Sequence, residues 1–261
     1  MASNRRRYEI SDEKWDRVKE FLPPERTGRP GRPAGNNRIA LNGMLWITRS
    51  GAPWRDLPER YGSWSTLYDK FKRWSDAKVF EHIFEVLGME ADMQDLPIDS
   101  TSIKVHQSAA GAKKGAENAD INQGIGVSRG GKTTKIHAVV DGLGNPVALH
   151  FTQGSVHDSK EAVPLLREIP LDGSTVLGDK AFGSKEIRDY IDSQGGAYCI
   201  PPQSNVKEPW KVDFSRYKER HLVECFFQKL KNFRHVATRY DKLLSRFASF
   251  VYLACTMILL K

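Results

Sequence analysis

The stretch KIHAVVDGLGNPVALHF (Lys135–Phe151) reads as two β-strands joined by a tight connection. Ile136, Ala138 and Val140 alternate with Lys135, His137 and Val139, the period of two that a pleated strand imposes on its side chains. Asp141-Gly142 opens the turn region, and Val147, Leu149 and Phe151 then alternate again. His137 and His150 fall opposite the apolar alternation, where structural or exposed roles are expected.

Upstream of this hairpin, LPIDSTSI (Leu96–Ile103) is a further strand. Downstream, helical stretches at about 160–167 and 184–193 alternate with strand candidates at 175–177 and 197–200, and a long helix begins at Tyr217. Strand, hairpin, helix, strand, helix, strand and helix make an α/β order compatible with a ribonuclease H-like mixed sheet. The segment 107–133, rich in Gly, Ala, Asn and Lys, is longer than loops without a function usually are; Lys113, Lys114, Arg129 and Lys132 are its candidate phosphate contacts.

The first third has another texture. Ser11 can cap a helix carrying Asp12 and Glu13 in its first turn, with Trp15, Val18, Phe21 and Leu22 at helical spacing until Pro23-Pro24. GRPGRP (28–33) follows, an extended basic segment whose Arg29 and Arg32 suit a minor groove; a solvated linker is the competing reading. A second helix is expected over Arg38–Thr48 and a third from Ser63 or Ser65. In the third, Leu67, Tyr68, Phe71 and Trp74 share one face while Lys70, Lys72 and Arg73 are expected to point away, as in a helix-turn-helix recognition helix or an ordinary amphipathic one. The organisation expected is a small all-helical DNA-binding domain over 1–90, with a basic linker at 25–37, and an α/β catalytic domain over 91–261.

Forty Lys and Arg against 32 Asp and Glu leave a net charge of +8, which favours a polyanionic partner, nucleic acid first. Cys199, Cys225 and Cys255 form no C-x-x-C pair, so neither a zinc site nor a disulfide framework is indicated, and a reducing cytoplasm fits. MASNRRRYE has no apolar stretch behind its arginines, and the apolar run Phe247–Leu260 is too short to span a bilayer; the expectation is a cytoplasmic, nucleoid-associated protein with no membrane contact.

Three carboxylates stand out by position. Asp99 lies inside a strand, where Asp is disfavoured unless something such as a cation offsets its desolvation. Asp179 follows the carboxyl end of a strand, where open α/β sheets tend to place ligands. A structural role, in a turn or a hydrogen bond, competes for each. Glu224 shares a helix face with Tyr217, Arg220 and Lys231, the four within an arc of roughly 60° at about 100° per residue, and between Lys207 and Arg246 eleven basic residues face five acidic ones. Phosphate binding around a metal accounts for that stripe; an exposed salt-bridge ladder is the rival. His157-Asp158, just past the hairpin, is a candidate supporting contact to the site or to DNA.

Tyr217, Arg220, Glu224 and Lys231 make a Tyr-x2-Arg-x3-Glu-x6-Lys pattern that resembles the signature around the third carboxylate of bacterial DDE transposases. The strings IDSTSIKVHQSA, SRGGKTTKIHAVVDGLGNP, GSVHDS, GDKAFGS, VECFFQKLKNFRHVATRYDK and WITRSGAPWRDLPERYGSWSTLYDKFKRW are similar to those of the insertion-sequence-five group, a likeness covering nearly the whole chain. One departure is Ala181-Phe182, where relatives often carry Gly-Tyr. The 45-residue interval from Asp179 to Glu224 leaves no room for the β-domain that some related transposases insert there.

The resemblance implies that Asp99, Asp179 and Glu224 hold two Mg²⁺ ions, with Mn²⁺ able to substitute, and cut at the element's inverted repeats before the freed 3′-OH attacks target DNA. It also implies that Tyr217, Arg220 and Lys231 contact phosphates of double-stranded DNA, and that a homodimer joins the two ends. The competing functions are a nuclease of the same fold that cleaves without joining, and a non-catalytic DNA-binding regulator derived from a transposase.

Overall fold

The computed structural model describes residues 6–25, 35–110, 123–128 and 130–261, so Arg29, Arg32, Lys113, Lys114 and Arg129 lie outside the described residues. Two compact units form, one of Met1–Leu87 with Leu230–Lys261 and one of Gly88–Lys229.

In the first unit, Ser11 caps α1 (Asp12–Asp16), its hydroxyl accepting from the Lys14 N–H. The helix expected to run on to Pro23 ends after five residues, because Val18 takes φ −119° and the chain tightens into a 3₁₀ turn at Lys19–Phe21. Val18 and Leu22 are still buried, so the apolar spacing marks the inward side although the helix does not run through it. Asn36 caps α2 (Asn37–Ser50), accepting from Ile39 N at 2.9 Å. The helix closes on Gly51 at φ +68°, where a Cβ would stand 2.9 Å from that of Arg234. Then come α3 (Trp64–Asp76), starting after Ser63, and α4 (Val79–Gly88).

The second unit is built on a mixed sheet. Its elements are β1 (Asp95–Val105), β2 (Gly126–Ser128), β3 (Gly131–Val140), β4 (Pro146–Gln153), α5 (Asp158–Leu166), β5 (Thr175–Leu177), α6 (Lys185–Ser193), β6 (Ala197–Cys199), α7 (Phe214–Tyr217) and α8 (His221–Lys231). β1 pairs antiparallel with β3 on one edge and parallel with β5 on the other, and β6 continues the parallel side. β4 pairs antiparallel with β3, which β2, a strand not anticipated, joins at its start. This is the ribonuclease H-like layout that the element order implied.

The hairpin turn is held by Asp141, whose Oδ1 accepts from the N–H groups of Leu143 (2.9 Å) and Asn145 (2.7 Å). β3 is buried on both faces, His137 and Val139 as completely as Ile136 and Ala138; β1 and β4 pair along its edges, and α5 covers the face that Val139 shares. α5 and α6 contribute Ala162, Leu165, Ile187 and Ile191 to a core that includes Leu96 and Ile98 of β1. Strand alternation therefore turns Leu96, Ile98 and Ser100 toward the helices and Asp99 to the opposite face.

The C-terminal segment continues through α9 (Arg234–Ala237) to α10 (Leu244–Leu259), which buries Phe247, Phe250, Val251 and Leu253. Residues 230–261 fall in the first compact unit, with the N-terminal helices. Phe250 of α10 stacks on Phe71 of α3 with ring centroids 4.4 Å apart, and Ser249 Oγ donates to Ser75 Oγ at 2.7 Å. Among the described residues no helix is long and apolar enough to cross a membrane.

Candidate active site

The register of β1 against β5 aligns the first two carboxylates. Pro97 pairs with Leu177, and Asp99 and Asp179 each lie two residues further on, the backbone at Asp179 still extended. Neighbouring strands run about 4.8 Å apart, so the two residues stand side by side on one face. Their charges feel each other: burial pushes the Asp99 carboxyl above its ordinary value, and the Asp179 charge adds to the rise. The Ser100 N–H and Arg220 work the other way. Asp179 is itself fixed, its Oδ1 accepting from Ala181 N at 2.7 Å to cap the 3₁₀ turn Lys180–Phe182. Phe182 is buried in the sheet core, and a Cβ on Gly178 would come within 3.0 Å of it, so the turn needs the glycine.

The third carboxylate arrives through Arg220. Its Nη1 donates to Asp99 Oδ2 at 2.9 Å and its Nη2 donates to Glu224 Oε1, so one planar guanidinium bridges the strand and the helix. Burial opposes the Arg220 charge, but Asp99 and Glu224 outweigh it and raise its pKa. Glu224 is about half exposed, in the first turn of α8. Among the described residues no group of three His, Cys, Asp or Glu is drawn together tightly enough to hold a metal ion. The donor set nonetheless suits a hard cation. It is all carboxylate oxygen, two of its members are paired at a cost that positive charge relieves, and a cationic side chain already joins the third to the first.

The helix expected from Tyr217 onward is interrupted. Tyr217 ends α7, Lys218–Arg220 form a 3₁₀ turn, and α8 begins at His221. A 3₁₀ residue advances 120° rather than 100°, so three of them rotate Tyr217 about 60° from the face it would share in an unbroken helix. Tyr217 meets Phe214 edge-on at 6.2 Å. Lys231 ends α8, with burial lowering its pKa.

The outward basic face expected of α3 needs correction. Lys72 and Arg73 are exposed, but Lys70 is only 6% exposed and donates to Gly35 O at 3.2 Å. At 100° per residue Lys70 lies within about 60° of both Leu67 and Trp74, and so belongs to the apolar face.

His157 is exposed and serves as the N-cap of α5, accepting from Ser159 N. Asp158 has different surroundings. Its Oδ1 accepts from Ser100 Oγ (2.7 Å) and Lys135 Nζ (2.9 Å), and Lys135 also donates to Val156 O (2.7 Å). Ser100 and Lys135 did not stand out in the sequence as partners of Asp158, although Ser100 is the immediate neighbour of Asp99.

A family model described as "Transposase DDE domain" matches residues 90–259, and one described as "Putative transposase of IS4/5 family" matches residues 10–84. A putative transposase for insertion sequence element IS6501 of Brucella ovis is 41% identical over 133 residues, 49% of this chain and 99% of that protein. An uncharacterized protein of Sinorhizobium fredii, y4sN, is 42% identical over 105 residues, 40% of this chain and 83% of its own length. A 16.2 kDa uncharacterized protein of insertion element IS402 from Burkholderia cepacia is 34% identical over 36% of this chain and 72% of that protein. Among solved structures, a Mos1 transposase paired-end complex with left transposon end aligns at 12% identity over 90% of this chain and 85% of that chain, with a TM-score of 0.27.

Proposed function

This chain belongs to the DDE transposase family, an enzyme class acting on DNA, and from that premise we propose that it cleaves DNA at the ends of its insertion sequence and joins the freed 3′-OH to target DNA. Asp99, Asp179 and Glu224 would hold the divalent ions, Mg²⁺ by preference. Those ions would supply water activation and stabilisation of the leaving 3′ oxygen. The observation that carries the reading is the β1–β5 register, which sets Asp99 level with Asp179 while Arg220 ties Glu224 to the same oxygen cluster.

The chain's own residues have separable tasks. Asp99 and Asp179 offer oxygens from adjacent strands, and the Asp179 carboxylate is aimed by the Ala181 N–H. Arg220 offsets part of the burial-driven rise in the Asp99 pKa and bridges that carboxylate to Glu224, and its fork suits a backbone phosphate once it releases one of them. Tyr217, Lys231, Lys72 and Arg73 are further candidate DNA contacts. Double-stranded DNA carrying the element's inverted repeats is the partner, and joining two ends calls for a homodimer.

The test is incubation with Mg²⁺ and the DNA flanking its own gene, scored for 3′-end cleavage and strand joining. Glu224→Gln should reduce cleavage at least 10³-fold, about 4 kcal/mol in the barrier, while end binding persists. Full cleavage by that variant would refute the site. Nicking without joining by the unaltered protein would make it a nuclease of the same fold.

A further inference from the structure

We propose that Ser100 and Asp158 are positioning residues that set the Asp99 carboxylate from the opposite face of the sheet. The inference rests on the reading of Asp99 as a metal ligand. Cross-strand pairing puts Ser100 opposite His137 and Ser102 opposite Lys135, while Thr152 lies opposite Lys135 on the other flank. Alternation therefore gathers Ser100, Lys135, His137 and Thr152 under the N-terminus of α5, whereas Asp99 points to the other side.

On that underside one oxygen does the joining. Asp158 Oδ1 accepts from Ser100 Oγ and Lys135 Nζ, with His137 Nδ1 3.7 Å away. Lys135 also reaches Val156 O, and His137 Nε2 pairs with Thr152 Oγ1 at 2.8 Å. β1, β3 and the start of α5 are thus tied through one carboxylate, and His137 beside it links β3 to β4. The main-chain N–H of the same Ser100 donates to Asp99 Oδ1 at 2.7 Å. Ser100 is held by its hydroxyl from below, and its amide fixes the Asp99 carboxylate above, whose other oxygen takes Arg220.

Stability alone does not account for this cluster. Lys135 and Asp158 are 16% and 27% exposed, and a half-buried ion pair often stabilises less than apolar residues of similar volume. Further along the same face Ile98, Val139 and Ala148 are apolar. The polar group interrupts that surface beneath the residue that orients Asp99. Supporting hydrogen bonds of this kind are worth about 10–100-fold in metal affinity.

The experiment is Mn²⁺ titration of the full chain without DNA, followed by electron paramagnetic resonance, well below the melting temperature of each variant. Asp99→Asn should remove tight Mn²⁺ binding. Ser100→Ala and Asp158→Asn should each weaken it about tenfold, and Ser100→Thr, which keeps the hydroxyl, should restore it. Wild-type affinity in Ser100→Ala, beside lost binding in Asp99→Asn, overturns the positioning role and leaves the site intact. Wild-type affinity in Asp99→Asn instead overturns the metal-site reading. Should Asp158→Asn fail to fold, Ser100→Ala, which removes a single oxygen, decides.

Discussion

In the helical unit Lys70 and Arg239 are buried and donate to main-chain carbonyls, Lys70 to Gly35 and Arg239 to Asp241 and Lys242, while buried Arg246 donates both to Lys72 O and to the Asp76 carboxylate. In the α/β unit the half-buried cations meet carboxylates instead, Arg220 at Asp99 and Glu224, Lys135 at Asp158, and Arg216 at Asp95. Both units are rich in basic residues, but the charge does different work. Lys70 and Arg239 in the first close turns and helix ends. Those in the second compensate negative charge in and beneath the site. A count of Lys and Arg therefore measures neither how many face a polyanion nor where they do so. An exposed cation, as Lys72 and Arg73 are, can meet a polyanion at little cost to the fold.

Acid provides the largest way to disturb this contrast, because it adds a cation beneath the sheet. Burial lowers the His137 pKa from 6.5 to about 4, against the attraction of Asp158 and Glu161 and with Lys135 and His150 as its positive neighbours. The unfolded chain takes up that proton first, so the stability due to the neutral ring is complete above pH 6.5 and drains away as pH falls toward 4. The loss should approach about 3 kcal/mol. His150 runs the other way. Burial opposes its charge, but Glu168 and Glu161 raise its pKa, so its contribution is full below pH 6.5 and fades as pH rises through the folded value. Denaturant melts at several pH values should therefore show a flatter acid limb in His137→Gln than in the wild type. Parallel limbs would mean that His137 does not titrate as a buried neutral ring.

Arg239→Met comes next. It leaves the carbonyls of Asp241 and Lys242 without their donor in a buried setting, and should cost about 2 kcal/mol in unfolding free energy. The slope of log affinity for DNA against log salt should stay unchanged; a shallower slope would put Arg239 on a phosphate and erase the contrast between the units. Lys70→Met should follow at about 1 kcal/mol, also without altering the slope, since burial already lowers the Lys70 pKa. The smallest stability effect belongs to Lys72→Ala and Arg73→Ala, within about 0.5 kcal/mol. Each should nevertheless reduce the salt slope by about one, measured by fluorescence anisotropy on end DNA. An unchanged slope in both would remove α3 from the DNA surface.

The alternation of 135–151 and the strand LPIDSTSI determined the centre of the sheet, because a period of two is a local property of the chain and needs no partner to be read. The cap at Ser11 was equally local. Asp99, Asp179 and Glu224 were chosen by their place in elements and by family strings, and the sequence could number them without ordering them in space. Tertiary structure alone decided the register that sets Asp99 beside Asp179, the 3₁₀ turn that breaks the Tyr217 face, and the burial of Lys70. It also decided that residues 230–261 join the N-terminal helices, and that Ser100, Lys135 and Asp158 meet. Each of these depends on hydrogen bonds or packing between residues far apart in the chain, or on a backbone choice that such packing selects. Residue type and spacing carry no record of which distant donor a carboxylate will find.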